Sequence, residues 1–190
     1  MKPTKETKGF TLIEIIVATF ILIILTTVSL ANFRTGEKNR RLGLSSEGVI
    51  SSIRLAQNYA LSGKQVYQSD CADTAPIAYR VEFSNSAGSY LVYGDNSCGT
   101  VLVETYNLVQ QTVFNSTSFY VTDLNGNVTT VNNVNLKFTP PFGFMSAATS
   151  GGSTATFSKF RNIAITVQQE GDASKTRTVN IDGVSGRIGE

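Results

Sequence analysis

Residues 9–33 read GFTLIEIIVATFILIILTTVSLANF, and from Ile15 to Phe33 no charge interrupts 19 consecutive residues. As a helix rising about 1.5 Å per residue they cover roughly 28 Å, close to the hydrocarbon thickness of a bilayer. The segment is long enough to span a membrane. Glu14 stands at its start. A carboxylate at mid-bilayer costs about 2.5–3.5 kcal/mol on insertion scales, less toward the interface, and intramembrane acids usually have a partner. Glu14 therefore calls for a cation, and an ordinary anchor has no physical reason to carry it.

A secretory signal also opens with a basic region, here Lys2, Lys5 and Lys8, followed by an apolar stretch. Three features oppose that reading. The apolar run exceeds the usual length of about 7–15 residues, an acid interrupts its start, and no small-x-small cleavage site follows it. The expected processing point lies before the run, at Gly9-Phe10.

The string Lys8-Gly9-Phe10-Thr11-Leu12-Ile13-Glu14 resembles the class III leader junction of type IV prepilins and type II secretion pseudopilins. The resemblance implies that a membrane-embedded prepilin peptidase cuts after Gly9 and methylates the new N-terminus at Phe10. It implies that Glu14 pairs with the N-terminal amine of a neighbouring subunit during assembly. The implied partners are other pilin or pseudopilin subunits, the prepilin peptidase, an inner-membrane assembly platform and, before assembly, membrane lipid. Counting cations does not orient the chain, because Lys2, Lys5 and Lys8 on one flank face Arg34, Lys38, Arg40 and Arg41 on the other. The resemblance does: leader 1–9 cytoplasmic, helix 10–33 in the inner membrane, the head outside the cytoplasm and then in a pilus or pseudopilus.

Past the membrane the helix is expected to continue over 34–63. Leu42, Val49, Ile53, Ala56 and Ala60 recur at helical spacing on one face, and Ser62-Gly63 supplies a stop. Gly36, Gly43 and Gly48 weaken its middle by about 0.8–1 kcal/mol each relative to alanine. They either mark a section that loosens in a filament or simply permit close packing. No proline lies between residues 4 and 75, whereas many major pilins carry one in the corresponding helix, which leans away from a major subunit.

From residue 64 onward the period switches to two. Tyr79, Val81 and Phe83 alternate with Arg80 and Glu82; Val134, Leu136 and Phe138 with Asn135 and Lys137; Ile163, Ile165 and Val167 with Ala164 and Thr166. These read as half-buried strands. Further strands are expected near 89–93, 99–106, 118–122 and 176–181, a turn at Asp123–Asn127, and a flexible loop over 146–154. The fold class is α+β: a pilin fold with a long N-terminal helix, transmembrane then amphipathic, packed on an antiparallel β-sheet head, residues 64–190, in one sheet or a pair. Ser52–Lys64, Leu136–Gly143 and Val179–Ile188 are similar to the helix ending, the phenylalanine-proline-glycine turn and the closing strand of GspH/FimT-like pseudopilins.

Cys71 and Cys98 both follow the anchor, and an even count outside the membrane favours a disulfide. Closing a loop of about 28 residues would stabilise the head by roughly 3–3.5 kcal/mol in the chain-entropy model. Two free buried thiols are the alternative reading. Two cysteines and no histidine do not make a zinc site, and no cofactor is expected. With no histidine, no Gly-x-Ser-x-Gly and no phosphate loop, the chain offers nothing for the usual nucleophilic or nucleotide chemistry. Asp123, Asn125 and Asn127 fail the twelve-residue calcium pattern, since Gly126 is misplaced, and read better as a hairpin turn.

Charge is uneven: residues 34–64 carry six cations against Glu37 and Glu47, while 65–190 carry seven against ten acids. The juxtamembrane group Arg34, Lys38, Arg40 and Arg41 suits lipid headgroups, at about 1 kcal/mol per cation, acidic residues of a next subunit, or plain solvation. Some FimT-like minor pilins bind DNA through an ending related to Gly-Arg-x-Arg. Here it reads Gly186-Arg187-Ile188-Gly189-Glu190, with only the first arginine kept. Lys159, Arg161, Lys175, Arg177 and Arg187 form a DNA or partner surface only if the strands gather them, and a net-acidic head attracts phosphate weakly. The expected function is thus a minor pilin or pseudopilin subunit of a type II secretion pseudopilus or type IV pilus, ahead of a DNA-binding transformation pilin or a tip adhesin.

Overall fold

The computed structural model describes residues 10–66, 76–85, 88–115, 118–149 and 158–190. The chain divides into two compact units, Met1–Asn39 and Arg40–Glu190, and one helix, α1 (Leu12–Ser62), contributes to both.

In the first unit α1 is apolar and exposed from Leu12 to Leu30, and it is the one described helix long and apolar enough to cross a membrane. Its threonines return their hydroxyls to the helix itself. Thr19 donates to the Ile16 carbonyl at 2.9 Å, Thr26 to Leu22 at 2.8 Å and Thr27 to Ile23 at 2.7 Å. Polar side chains satisfied inside the segment remove the cost of exposing them to hydrocarbon.

In the second unit the expected stripe is the buried one: Leu42, Val49, Ile53, Ala56 and Ala60 all lie in the core. Fully burying a side chain such as Ile53 contributes about 1.5–3 kcal/mol. Serines share this face, which the apolar spacing did not announce. Ser45 meets the Thr112 hydroxyl at 2.8 Å and accepts the Val109 N–H at 3.0 Å. The helix ends as expected at Ser62. Gly63 adopts φ +62°, and the Lys64 N–H bonds the Tyr59 carbonyl at 3.2 Å, a Schellman closure. Gly36 and Gly43 face open space, and Gly48 has ordinary contact with the Tyr90 hydroxyl.

Two antiparallel sheets make the head. The first has the order β3 (Gly99–Asn107), β2 (Ser89–Asn96), β1 (Ala78–Ser84), β7 (Asn133–Thr139), β8 (Phe144–Ala148). The second has the order β11 (Ile188–Gly189), β10 (Asp172–Asp182), β9 (Asn162–Gln169), β5 (Phe119–Thr122), β6 (Val128–Val131), with β4 (Thr112–Val113) also on β9. Tyr79, Val81, Phe83, Leu136, Phe138, Ile163, Ile165 and Val167 supply buried residues from both sheets to one core shared with α1. An aromatic group sits within it: Phe83, Tyr90, Phe114 and Phe119 have ring centroids 5.2–6.4 Å apart.

Three sequence expectations change. Alternation places Arg80 and Asn135 on the solvent side of half-buried strands, yet both are buried; Arg80 lies over the Tyr93 ring between Asp95 and Glu82. The loop expected over 146–154 begins later, because Ser146–Ala148 belong to β8, paired with Lys137, Leu136 and Asn135 of β7; 150–154 lie outside the described residues. Strands β4, β6 and β11 were not anticipated, being too short for a period-two pattern to register.

Candidate functional site

The first candidate site is the start of α1. Phe10 is 80% exposed and precedes the helix. Thr11 is the N-cap: its carbonyl accepts the Glu14 N–H at 3.1 Å and the Ile15 N–H at 3.3 Å. Threonine at the cap with glutamate three residues on is the capping-box spacing, and an acid in the first turn complements the helix dipole. That accounts for Glu14 tolerating this position. Among the described residues no cation pairs with it. A shallow groove bounded by Ile13, Val17, Ala18 and Ile21 runs beside the carboxylate, so a charge reaching Glu14 would meet it on an otherwise apolar surface. Gly9, the residue expected to precede the cleaved bond, lies outside the described residues.

A match to the family model of the prokaryotic N-terminal methylation motif covers residues 5–30. This N-terminal motif supports a type IV pilin-like protein. The motif, the apolar start of α1 and the antiparallel sheets packed with its second half make a pilin-like α+β fold. Such a motif implies processing by a prepilin peptidase and assembly with other pilins, and it indicates a structural subunit rather than an enzyme. No curated protein and no solved structure matches this chain.

The five cations singled out in the head separate into two places. Arg161 donates its N–H to the Thr122 carbonyl and accepts the Gly183 N–H at 3.0 Å, while Arg187 accepts the Asp182 N–H at 2.9 Å. Lys159 precedes them on the same approach to β9. Asp182 lies among these groups. The N–H groups of Ser185 and Val184, at 2.9 and 2.8 Å, and the Arg161 charge hold its carboxyl below the ordinary range. Arg177 sits five rungs from Asp182 on the β10 ladder, roughly 17 Å at about 3.4 Å per residue, with Lys175 beyond it. Arg177 is committed to an ion pair with Glu190 at 2.5 Å. The strands therefore bring Lys159, Arg161 and Arg187 to one end of the sheet and leave Lys175 and Arg177 apart.

Asp123 uses its carboxylate within its own turn. It accepts the Asn127 amide, the Asn127 N–H and the Asn125 N–H, each at 2.8 Å, which lower its pKa. The Asp123–Asn127 stretch joins β5 to β6 as the anticipated hairpin turn. Among the described residues no group of acids, cysteines or histidines has the geometry to hold a metal. Cys98 occupies the turn between β2 and β3; Cys71 lies outside the described residues. The turn expected within Leu136–Gly143 carries an exposed aromatic that its turn chemistry does not announce, Phe142 at 72%, with Phe144 at 70% just past it. A signal was present, since two phenylalanines flanking the glycine of a proline turn are unusual where polar residues normally sit.

Proposed function

We propose that the chain is a minor pilin or pseudopilin of the GspH/FimT-like kind, a structural subunit of a type IV pilus or type II secretion pseudopilus. The observation that carries this reading is the methylation motif on an exposed apolar helix whose only charge between Phe10 and Phe33 is Glu14. The leader remains cytoplasmic, the peptidase cuts between Gly9 and Phe10, and Phe10 is methylated. In the bilayer the apolar helix is solvated by lipid. As subunits leave it through the assembly platform, helix packs on helix and Glu14 takes the Phe10 amine of a neighbour. A charge pair in low dielectric is strong enough to set register, because either ion alone is costly there. Cys71 and Cys98 pair in the head.

The test is Glu14→Ala in the full chain. Processing, read by the mass of the mature protein, is expected to stay at the wild-type level while incorporation into filaments is lost. Wild-type filament yield from this variant would sink the proposal.

A DNA-binding role stands second, supported by Lys159, Arg161 and Arg187 lying at one end of the sheet. Asp182 among them and the distance to Lys175 and Arg177 weigh against it, since phosphate affinity accumulates with the number of contacts. Retardation of duplex DNA at low salt, relieved by added salt, would raise it to first place.

A further inference from the structure

The outer edge of β8 is closed over only part of its length. Ala147 and Ser158 exchange both backbone hydrogen bonds, at 2.9 Å each, so the Ala147 N–H and C=O point away from β7. In an antiparallel ladder this direction alternates. The N–H and C=O of Met145, two residues earlier, therefore point outward as well, and nothing among the described residues accepts or donates to them. Past Ser158 the chain leaves β8 to enter β9, and Phe160 turns inward to 3% exposure. A groove of about 740 Å³ opens where the two lines of chain part.

Its lining is specific in three ways. Met145 and Phe160 give it an apolar floor, and Phe142 and Phe144, edge to face at 5.7 Å, form an exposed aromatic wall. Lys159 is the one ionisable side chain of the lining, and the Asp182 carboxylate behind it is taken up by the Val184 and Ser185 N–H groups, so the charge offered at the groove is the ammonium of Lys159. The wall is also held in place: Gly143, at φ +62°, lies so close to α1 that an added methyl would come within 3.1 Å of Leu61.

We infer that this groove binds an extended segment of a partner protein in which an apolar residue is followed by an acidic one. An outward N–H and C=O on one residue are satisfied together by another extended backbone, which gains two hydrogen bonds there. Along that segment successive side chains alternate faces. One falls inward on Met145 and Phe160, where an apolar group is required. The next falls on the face of Phe144 and Ser146 beside Lys159, where a carboxylate complements the charge. A second copy of the chain is a poorer occupant. The exposed edge strand of the same sheet, β3, has its register broken by a bulge opposite Val92 and Tyr93, a device that discourages pairing between copies. The inference concerns the head and is independent of assembly through Glu14, so Glu14→Ala leaves it untouched.

The experiment uses the full chain in detergent micelles and a fluorescein-labelled heptapeptide of alternating valine and glutamate, with anisotropy as the readout. Saturable binding is expected, weakened about tenfold when the central peptide nitrogens are methylated, the effect of losing a backbone hydrogen-bonded pair. Lys159→Glu is expected to weaken the glutamate peptide and to bind a valine-lysine peptide in its place, a reversal that a misfolded variant would not produce. Absence of saturable binding, equal affinity for the methylated peptide, or unchanged charge preference in Lys159→Glu would each overturn the inference. So would a photo-crosslinker at position 144 that yields only a covalent dimer of this chain.

Discussion

The guanidinium of Arg80 on β1 lies 3.3 Å from the carboxylate of Asp95 on β2, and Arg80 is only 2% exposed. Glu82 stands 3.6 Å from the same group, and the Tyr93 ring lies beneath it at 4.9 Å. Its Nε and Nη1 make no hydrogen bond, so Asp95 carries much of the compensation for a buried charge. Asp95→Ala is expected to cost about 3 kcal/mol in urea unfolding, because breaking a buried pair strands one ion. Arg80→Met is expected to cost less or nothing, because it removes the charge that needs compensating. The opposite ranking would show that Asp95 is not the compensating group.

Glu190 draws β10 and α1 together: Ser46 donates its hydroxyl to one carboxylate oxygen, and Arg177 pairs with the other. The Ser46 bond and then Arg177 lower the pKa of Glu190. A lowered carboxylate pKa stabilises the fold above the unfolded value, about 4.3 for glutamate. That contribution is lost as pH falls through the lower folded value. Glu190→Gln should therefore destabilise the protein at pH 7 by no more than about 1 kcal/mol, the side chain being partly solvated. The difference should vanish in acid below the ordinary glutamate range. Melting curves of both proteins across pH 2–7 check it, and a difference that grows in acid contradicts the assignment.

Gly183 has an ordinary φ but no room. A methyl group there would collide with the backbone oxygen and ring of Phe160, and the Gly183 N–H is bonded to the Arg161 carbonyl, so the backbone is not free to retreat. Gly183→Ala is expected to cost about 1–3 kcal/mol, the range for overpacking. Gly189→Ala, with open space around it, serves as the control and should lower Tm far less.

For the proposed Cys71–Cys98 bridge, the oxidised protein should weigh two hydrogens less than the reduced one and resist alkylation until reduced. Replacing both cysteines by serine should cost about 3 kcal/mol of stability. Ready alkylation of both thiols in the native, unreduced protein would remove the bridge.

Much of the head was readable because its strands obey period two and its helix obeys the 3.6-residue period. Leu42, Val49, Ile53, Ala56 and Ala60 are buried as their spacing requires. The misreadings share one cause. A strand pattern says which side chains share a face, and it does not say how far neighbours on that face shield them from water. Arg80 and Asn135 alternate with apolar neighbours and are buried nonetheless. Likewise the sequence leaves open whether Lys159, Arg161, Lys175, Arg177 and Arg187 form one surface, and the β9–β10 register sends Arg177, with Lys175 beyond it, down the ladder from Asp182.

By itself the sequence determined the membrane-length apolar helix, the isolated acid at Glu14, the amphipathic stripe that follows and the switch to strands after Gly63. Each is a local matter of hydrophobic period, helix length and charge, legible without knowing what any residue touches. Only the tertiary structure decided which charges are buried, that Glu190 reaches Ser46 and Arg177, and that Met145 keeps an outward backbone pair beside Lys159. Those depend on which strands become neighbours and where one sheet edge parts from the next, relationships set by packing between segments distant in the chain.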